Sequence, residues 1–539
     1  MTKSHLFGIL AMVGLSLSAF SQKKDMKISW SEPFEIPKKS YEVGFIGDSK
    51  SGYTLISHAR KKSINLQKFS PSLKLTNTNS IPTKDFPKGY MIEREEEIGG
   101  KNYLFYSTWD KKSAVEKLYA QEINKEKGEF KGSPVELLSS DKKLAGMLVM
   151  TGFYQFNTAG KWRFEVSADR SRLLVRYRLK PEKKRDAVNK DIIGMTVYDA
   201  SLKKQWSKEF EMPYTEKDMD NEDYQVDAKG NVYILAKVYT GEKKDRESHY
   251  EVLMYDKESS KPSISSFKFT DKFVRSIAIT EDKNGRMLIA GYYSKQKNGG
   301  TDGAFLLSYD EASKSMKNVH KGFYEFPDDV IKSFETKRVQ KKMEKAADKG
   351  KDQEVANLVF RDLLIEDDGS IVLTGEQYLL VVTTTTDSKG HVTYHYTYYY
   401  QDIYVLCVAP DGSTRWIKKI PKNQVSGSPS GLGFHHHYDG KNHYYFFVDN
   451  AKNMNLKKDE APATHSGGWG GLLCCVKLDE NGKDSKSSIF DFREEKLSVR
   501  IRDFESVSSS QIIGRATGKG AGKGKGKGSK LLLIDTGSK

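Results

Sequence analysis

The chain has 539 residues, and 88 Lys and Arg against 72 Asp and Glu leave a formal charge of +16. Its three cysteines, Cys407, Cys474 and Cys475, cannot all pair with one another, which excludes a disulfide framework as the main source of stability. A chain of this length can bury a sufficient core without one.

The N-terminus carries Lys3, an apolar run from Leu6 to Leu17, and small residues at Ala19 and Ser21. That order is the pattern of a secretion signal cut before Gln22, so 1–21 is expected to be a signal peptide and 22–539 the folded unit. The apolar run falls short of the roughly 20 residues that cross a bilayer, so no transmembrane segment is expected in the mature chain. The first 30 residues hold no Cys for lipid attachment. The expected location is therefore extracytoplasmic, periplasmic or secreted, which argues against nucleic acid as a partner. The lysines are spread through most of the chain, as on a solvated surface.

Trp30-Ser-Glu-Pro-Phe-Glu-Ile-Pro37 recurs as Trp206-Ser-Lys-Glu-Phe-Glu-Met-Pro213, one structural element used twice. The phrase belongs to a longer unit in which a turn with Asp, Asn or Gly precedes an apolar strand, and a second strand ends in Tyr-Asp or a similar turn. Clear copies are Asp227–Ala236 with Glu251–Asp256, Asp282–Gly291 with Ala304–Asp310, and Asp367–Gly375 with Ile403–Gly412. Asp-Gly and Asn-Gly supply the positive φ of tight hairpin turns, and β-branched neighbours suit strands. Weaker copies begin near Tyr53, Asn102, Leu173, Tyr444 and Ile512, giving about eight units, with seven also possible. The pattern predicts an all-β fold, a single β-propeller of seven or eight four-stranded blades. Residues from Ile28 to Pro37 read as the outer part of a blade and those from Asp503 to Asp535 as its inner part, so the two chain ends are expected to close one blade together. Two adjacent β-sandwiches would use similar strands but leave the matching N-terminal fragment unexplained.

Between the fifth and sixth units, 328–358 is expected to be a helical insertion. Pro327 precedes helix formers through Ala347, and 352–358 can form a second helix. Lys337, Arg338 and Lys341 would form its cationic face, either a docking surface or a solvated one. In the sixth unit, Thr383 to Tyr400 alternates Thr, Tyr and His, as in a projecting two-stranded ribbon turned at Asp387 to Gly390. Tyr378, His391, Tyr394, His395, Tyr396 and Tyr398 are its candidate binding residues, because Tyr pairs an apolar face with a polar tip; the same residues also simply favour strands. On a strand, His435 and His437 share a face and His436 points away, which fits a structural role better than a metal site.

The Gly-Lys run from Gly518 to Lys530 lacks Lys followed directly by Ser or Thr and leads into the strand-like Leu531–Asp535, so it reads as a cationic hairpin loop and not a phosphate loop. No Gly-x-Ser-x-Gly elbow or His-Glu-x-x-His motif occurs, no catalytic residue is singled out, and no cofactor is implied. Propeller hydrolases gather carboxylates from different blades at the channel, a convergence that spacing along the chain does not display.

The sixth unit, with its charged helix, Asp367 to Tyr378, its Tyr-rich ribbon, and Pro410-Asp-Gly-Ser-Thr-Arg-Trp-Ile-Lys-Lys-Ile-Pro421, resembles a group of uncharacterised secreted proteins of Bacteroidota over about 100 residues. The resemblance implies no activity. The expected function is a non-enzymatic binding scaffold for an envelope protein or glycan. A hydrolase with its site in the central channel is the alternative, and a periplasmic accessory of an export machine a weaker one.

Overall fold

The computed structural model describes residues 26–537 apart from 60–61, 111, 153–154, 182–185, 243–245, 468–469 and 519–527, and gives no side-chain detail over 147–159. The expected signal peptide, 1–21, and most of the Gly-Lys run lie outside the described residues.

Eight sheets of four or more strands follow one another along the chain, antiparallel except where Gln424–Ser426 pairs parallel with His465–Ser466, and a separate two-stranded hairpin lies between the second and third. The first strands of blades 1 to 5 are Ser40–Asp48, Met91–Ile98, Arg163–Val166, Met219–Val226 and Phe273–Glu281. Those of blades 6 to 8 are Leu358–Ile365, His435–Tyr438 and Glu505–Ser506. These first strands meet around a common axis. Side chains or backbone link neighbouring first strands: Arg94 Nη1 donates to Phe164 O at 3.3 Å, Gln225 Nε2 to Val166 O at 3.2 Å, Ile279 N to Asp223 Oδ2 at 2.9 Å, and Phe360 N to Ser276 Oγ at 3.1 Å. Asp362 to His436, Ser506 to His437, and Phe45 N to Glu505 Oε1 at 3.1 Å carry the links on through blades 7 and 8 to blade 1.

The chain ends close the ring as the repeated phrase predicts. Lys27–Trp30 pairs antiparallel with Ser529–Asp535 as the outermost strand of blade 8. Trp206 sits in the equivalent outermost strand of blade 3, Lys204–Glu211. Its indole N–H reaches Gly230 O in the next blade at 2.9 Å. The Asp-x-x-Gly turns have a local cause: Asp227 Oδ1 accepts from Asn231 N at 2.8 Å while Gly230 takes φ +92°, a conformation that costs other residues energy. Strands two and three supply most of the buried residues and form the core between blades, except where those of blade 6 project beyond it. Cys407, Cys474 and Cys475 belong to that core as free, fully buried thiols.

All long connections leave from one face, the face at which the first strands begin. They include the ribbon formed by Ile371–Thr386 and Val392–Val408, the helices, the hairpin of Met147–Gly152 with Gln155–Ala159, and the loop between Asp449 and Leu472. The opposite face carries tight turns such as Asp282 to Arg286. The insertion holds helices Asp328–Lys332 and Lys337–Ala347, the second capped by Thr336. Residues 352–358 are not helical: Val355 exchanges two backbone hydrogen bonds with Thr301, both 2.8 Å, and Leu358 already opens blade 6. Pairing with blade 5 there prevails over local helix propensity. Lys419, buried, ties the first helix to blade 6 through Ile331 O at 3.2 Å and Glu335 Oε1 at 3.1 Å. Below it, Lys422 is fully buried against Glu376 at 2.7 Å.

Candidate functional site

Five of the eight first strands carry a register shift near their beginning, at Glu42/Gly44, Ile92/Arg94, Asn221/Asp223, Val274/Ser276 and Phe360/Asp362. An extra residue at a bulge re-aims its neighbours' side chains. The shifts cluster at the end of the channel that opens on the insertion-bearing face, and they bring charged side chains there from blades far apart in sequence.

Between blades 2, 3 and 4 the mouth widens into a cleft of about 1110 Å³. Eight carboxylates line it, among them Glu93, Glu165, Asp191 and Asp223, against the four guanidiniums of Arg94, Arg163, Arg176 and Arg178. The guanidiniums are largely engaged. Arg176 lies 3.5 Å above the Tyr224 ring and 3.2 Å from Glu165, Arg178 is 3.1 Å from Asp191, and Arg94 pairs with Glu96. Burial raises the proton affinity of Glu93, Glu165 and Asp223 above the usual carboxylate range. Ser107 opposes the rise at Glu93, Arg176 at Glu165, and the N–H groups of Ile279 and Tyr224 at Asp223.

Deeper in the channel, Glu505 of blade 8 and Glu95 of blade 2 approach each other over Gly44 of blade 1. Their carboxyl oxygens lie 3.1 and 3.5 Å from the point a Gly44 Cβ would occupy, hence within about 7 Å of one another. Burial, reinforced by Glu95, pushes Glu505 up to about 8. Burial likewise pushes Glu95 up to about 7, against the Asn102 hydrogen bond. A third cluster runs outward from the channel: Asp362 to His436 (2.7 Å), His436 to His443 (3.0 Å), and His443 to Glu366 (2.6 Å). Burial lowers the proton affinity of His443, and its hydrogen bond to Glu366 opposes the fall.

The candidate residues read from the sequence are placed apart from these clusters, with one exception. Tyr394 and Tyr396 stand on the ribbon 59 % and 47 % exposed, in one stripe with Tyr398. His395 bonds Thr385 and His391 bonds Asp387, both at 2.9 Å. On the second helix Lys337 pairs with Asp459 at 3.1 Å, while Arg338 and Lys341 are exposed. Tyr378, the exception, lies at the base of the ribbon beside the first strand of blade 6, edge-on to Tyr400 at 5.0 Å with the Arg361 guanidinium 5.4 Å from its ring. His435 and His437 do share a face, both meeting Ser506, and His436 points the other way. No cluster of three or more metal-ligating side chains occurs among the described residues. Sequence reasoning missed the acidic mouth. Its signal was present in the acid runs Glu93-Arg-Glu-Glu-Glu97 and Asp218-Met-Asp-Asn-Glu-Asp223, unusual in so basic a chain.

These features define the protein as an eight-bladed β-propeller closed by its own chain ends, with an acid-lined channel mouth on the face that bears the insertions. No protein-family model and no curated protein matches it. The resemblance of blade 6 to secreted Bacteroidota proteins therefore has no sequence match behind it. Similar solved structures include the WD40 domain of SCAP from fission yeast, with 8 % identity, TM-score 0.39, and 95 % of this chain and 94 % of that one covered. Polysaccharide lyase Uly1 is similar at 10 % identity and TM-score 0.36, over 94 % of this chain and 99 % of that one. A protein of unknown function from Dyadobacter fermentans is similar at 8 % identity and TM-score 0.28, over 70 % and 95 %. These likenesses concern the fold and leave activity open. Among the described residues no helix is long and apolar enough to cross a membrane.

Proposed function

We propose that the protein is an extracytoplasmic binding platform for an envelope protein or glycan, which it receives on the insertion-bearing face over the acidic cleft of blades 2 to 4. The observation that carries this reading is one-sidedness. The ribbon, the helices, the long blade 7 loop and the open cleft all belong to one face, while the other is trimmed to tight turns. Loops gathered on a rigid scaffold are where binding surfaces are ordinarily built. A signal at 1–21 would deliver the chain to the envelope. The test is capture from envelope extract, with bound partners identified by mass spectrometry. The mature protein is compared with variants lacking 332–357 or 383–398 and with Glu222→Gln in the cleft. One partner lost from the altered forms supports the platform; identical capture by all of them refutes it.

The carboxyl pair over Gly44 favours a second reading, a hydrolase working in the channel. Two carboxyls facing each other within about 7 Å across a channel are the equipment of glycosidic bond cleavage. Hydrolysis of envelope polysaccharide that is abolished by both Glu95→Gln and Glu505→Gln would decide for it.

A further inference from the structure

We propose that the cleft between blades 2, 3 and 4 is a seat for a cationic peptide segment, an extended stretch bearing Arg or Lys. This rests on the reading of the insertion-bearing face as a binding face and names the chemistry of its occupant.

Charge is the first observation. The lining holds eight carboxylates to four guanidiniums in a chain whose overall balance is +16. With Arg176 committed to Glu165 and Arg178 to Asp191, the excess negative charge at Asp220 and Glu222 faces the opening. Bringing a neutral or acidic ligand over these groups would desolvate them without compensation, whereas an ammonium or guanidinium offsets that cost.

The second observation is independent of charge. Trp162, only 2 % exposed, lines the same cleft, and its indole N–H has no acceptor among the described residues. The buried Oδ1 of Asn221 and Nε of Arg176, also in the lining, have no hydrogen-bond partner among the described residues. Buried polar atoms are ordinarily satisfied, so two donors and an acceptor left over in one cleft mark a place prepared for a ligand that both accepts and donates. A peptide backbone does both at every residue. The size agrees: about 1110 Å³ slightly exceeds the roughly 300–1000 Å³ range of small-molecule sites and leaves room for several residues.

The experiment titrates the mature protein calorimetrically with a blocked heptapeptide of alternating arginine and glycine, and with its citrulline analogue, which keeps the shape but lacks the charge and replaces one nitrogen donor group with a carbonyl. The expected result is at least tenfold tighter binding of the arginine peptide at low salt, with the advantage shrinking as salt rises. The double variant Asp220→Asn, Glu222→Gln should lose about tenfold for the arginine peptide alone at an unchanged melting temperature. Trp162→Phe, which keeps the ring and removes the N–H, should weaken both peptides severalfold. Equal affinity for the two peptides, no binding of either, or binding indifferent to the double variant overturns the proposal. Tight binding of a neutral oligosaccharide such as cellohexaose in the cleft also overturns it. Envelope-partner capture that persists while the arginine peptide fails would refute this inference and leave the binding platform standing.

Discussion

Glu505→Gln should make the protein more stable, and increasingly so as the pH rises. In the unfolded chain this carboxyl titrates near 4.5; in the fold, burial and the facing Glu95 push it up to about 8. A folded-state value raised above the unfolded one means that the group's contribution is fully present below 4.5 and is lost as pH rises through 8, because the folded protein must then hold a charge it poorly solvates. At about 1.4 kcal/mol per pH unit the full loss is on the order of 5 kcal/mol. Gln keeps an oxygen to accept the Phe45 N–H, now 3.1 Å away, and carries no charge at any pH. Unfolding entropies of roughly 2 cal/mol/K per residue turn that energy into about 4 to 5 °C for a chain of this size. Thermal unfolding of wild type and variant at pH 5 and pH 8.5 measures it. The melting temperatures should nearly coincide at pH 5, and the variant should lead by several degrees at pH 8.5. A gap that is the same at both pH values, or larger at pH 5, would show that Glu505 is not held protonated by its surroundings.

The acid limb runs the other way at His437, 2 % exposed, whose affinity for a proton burial lowers to about 4. A depressed histidine contributes stability above its unfolded value near 6.5 and loses it as pH falls towards 4, on the order of 3 kcal/mol. His437→Asn should flatten the urea-unfolding profile between pH 6.5 and 4, and an unchanged slope would contradict this. Removing residues up to Trp30 strips blade 8 of its outer strand and exposes the edge of Ser529–Asp535, so the truncated protein should melt many degrees lower and self-associate in sedimentation experiments. Lys422→Met removes the 2.7 Å partner of buried Glu376 and leaves it only Arg361 at 2.9 Å, so it should cost up to about 3 kcal/mol in chemical denaturation. Replacing both residues by apolar ones should recover most of that loss.

The repeat made the propeller legible because each blade is a local object: a turn residue, an alternating strand and a second strand lie within a few dozen positions of one another. The shared phrase at Trp30 and Trp206 exposed ring closure, since both copies are outermost strands, although Trp30 packs against Phe490 of the preceding blade and Trp206 against Gly230 of the following one. The faces of His435, His436 and His437 followed from strand geometry alone. The helix expected over 352–358 failed because Val355 finds a backbone partner in Thr301, more than 50 residues earlier, a contact that local propensity does not encode. The acidic mouth was hidden for the same reason. Glu505 and Glu95 are more than 400 residues apart in sequence and meet only because the first and last blades are joined around the ring. The sequence by itself determined the strands, the turns and the closing pair. Tertiary structure alone decided which charges share the channel, because radial symmetry gathers the first strand of every blade on one axis whatever their separation along the chain.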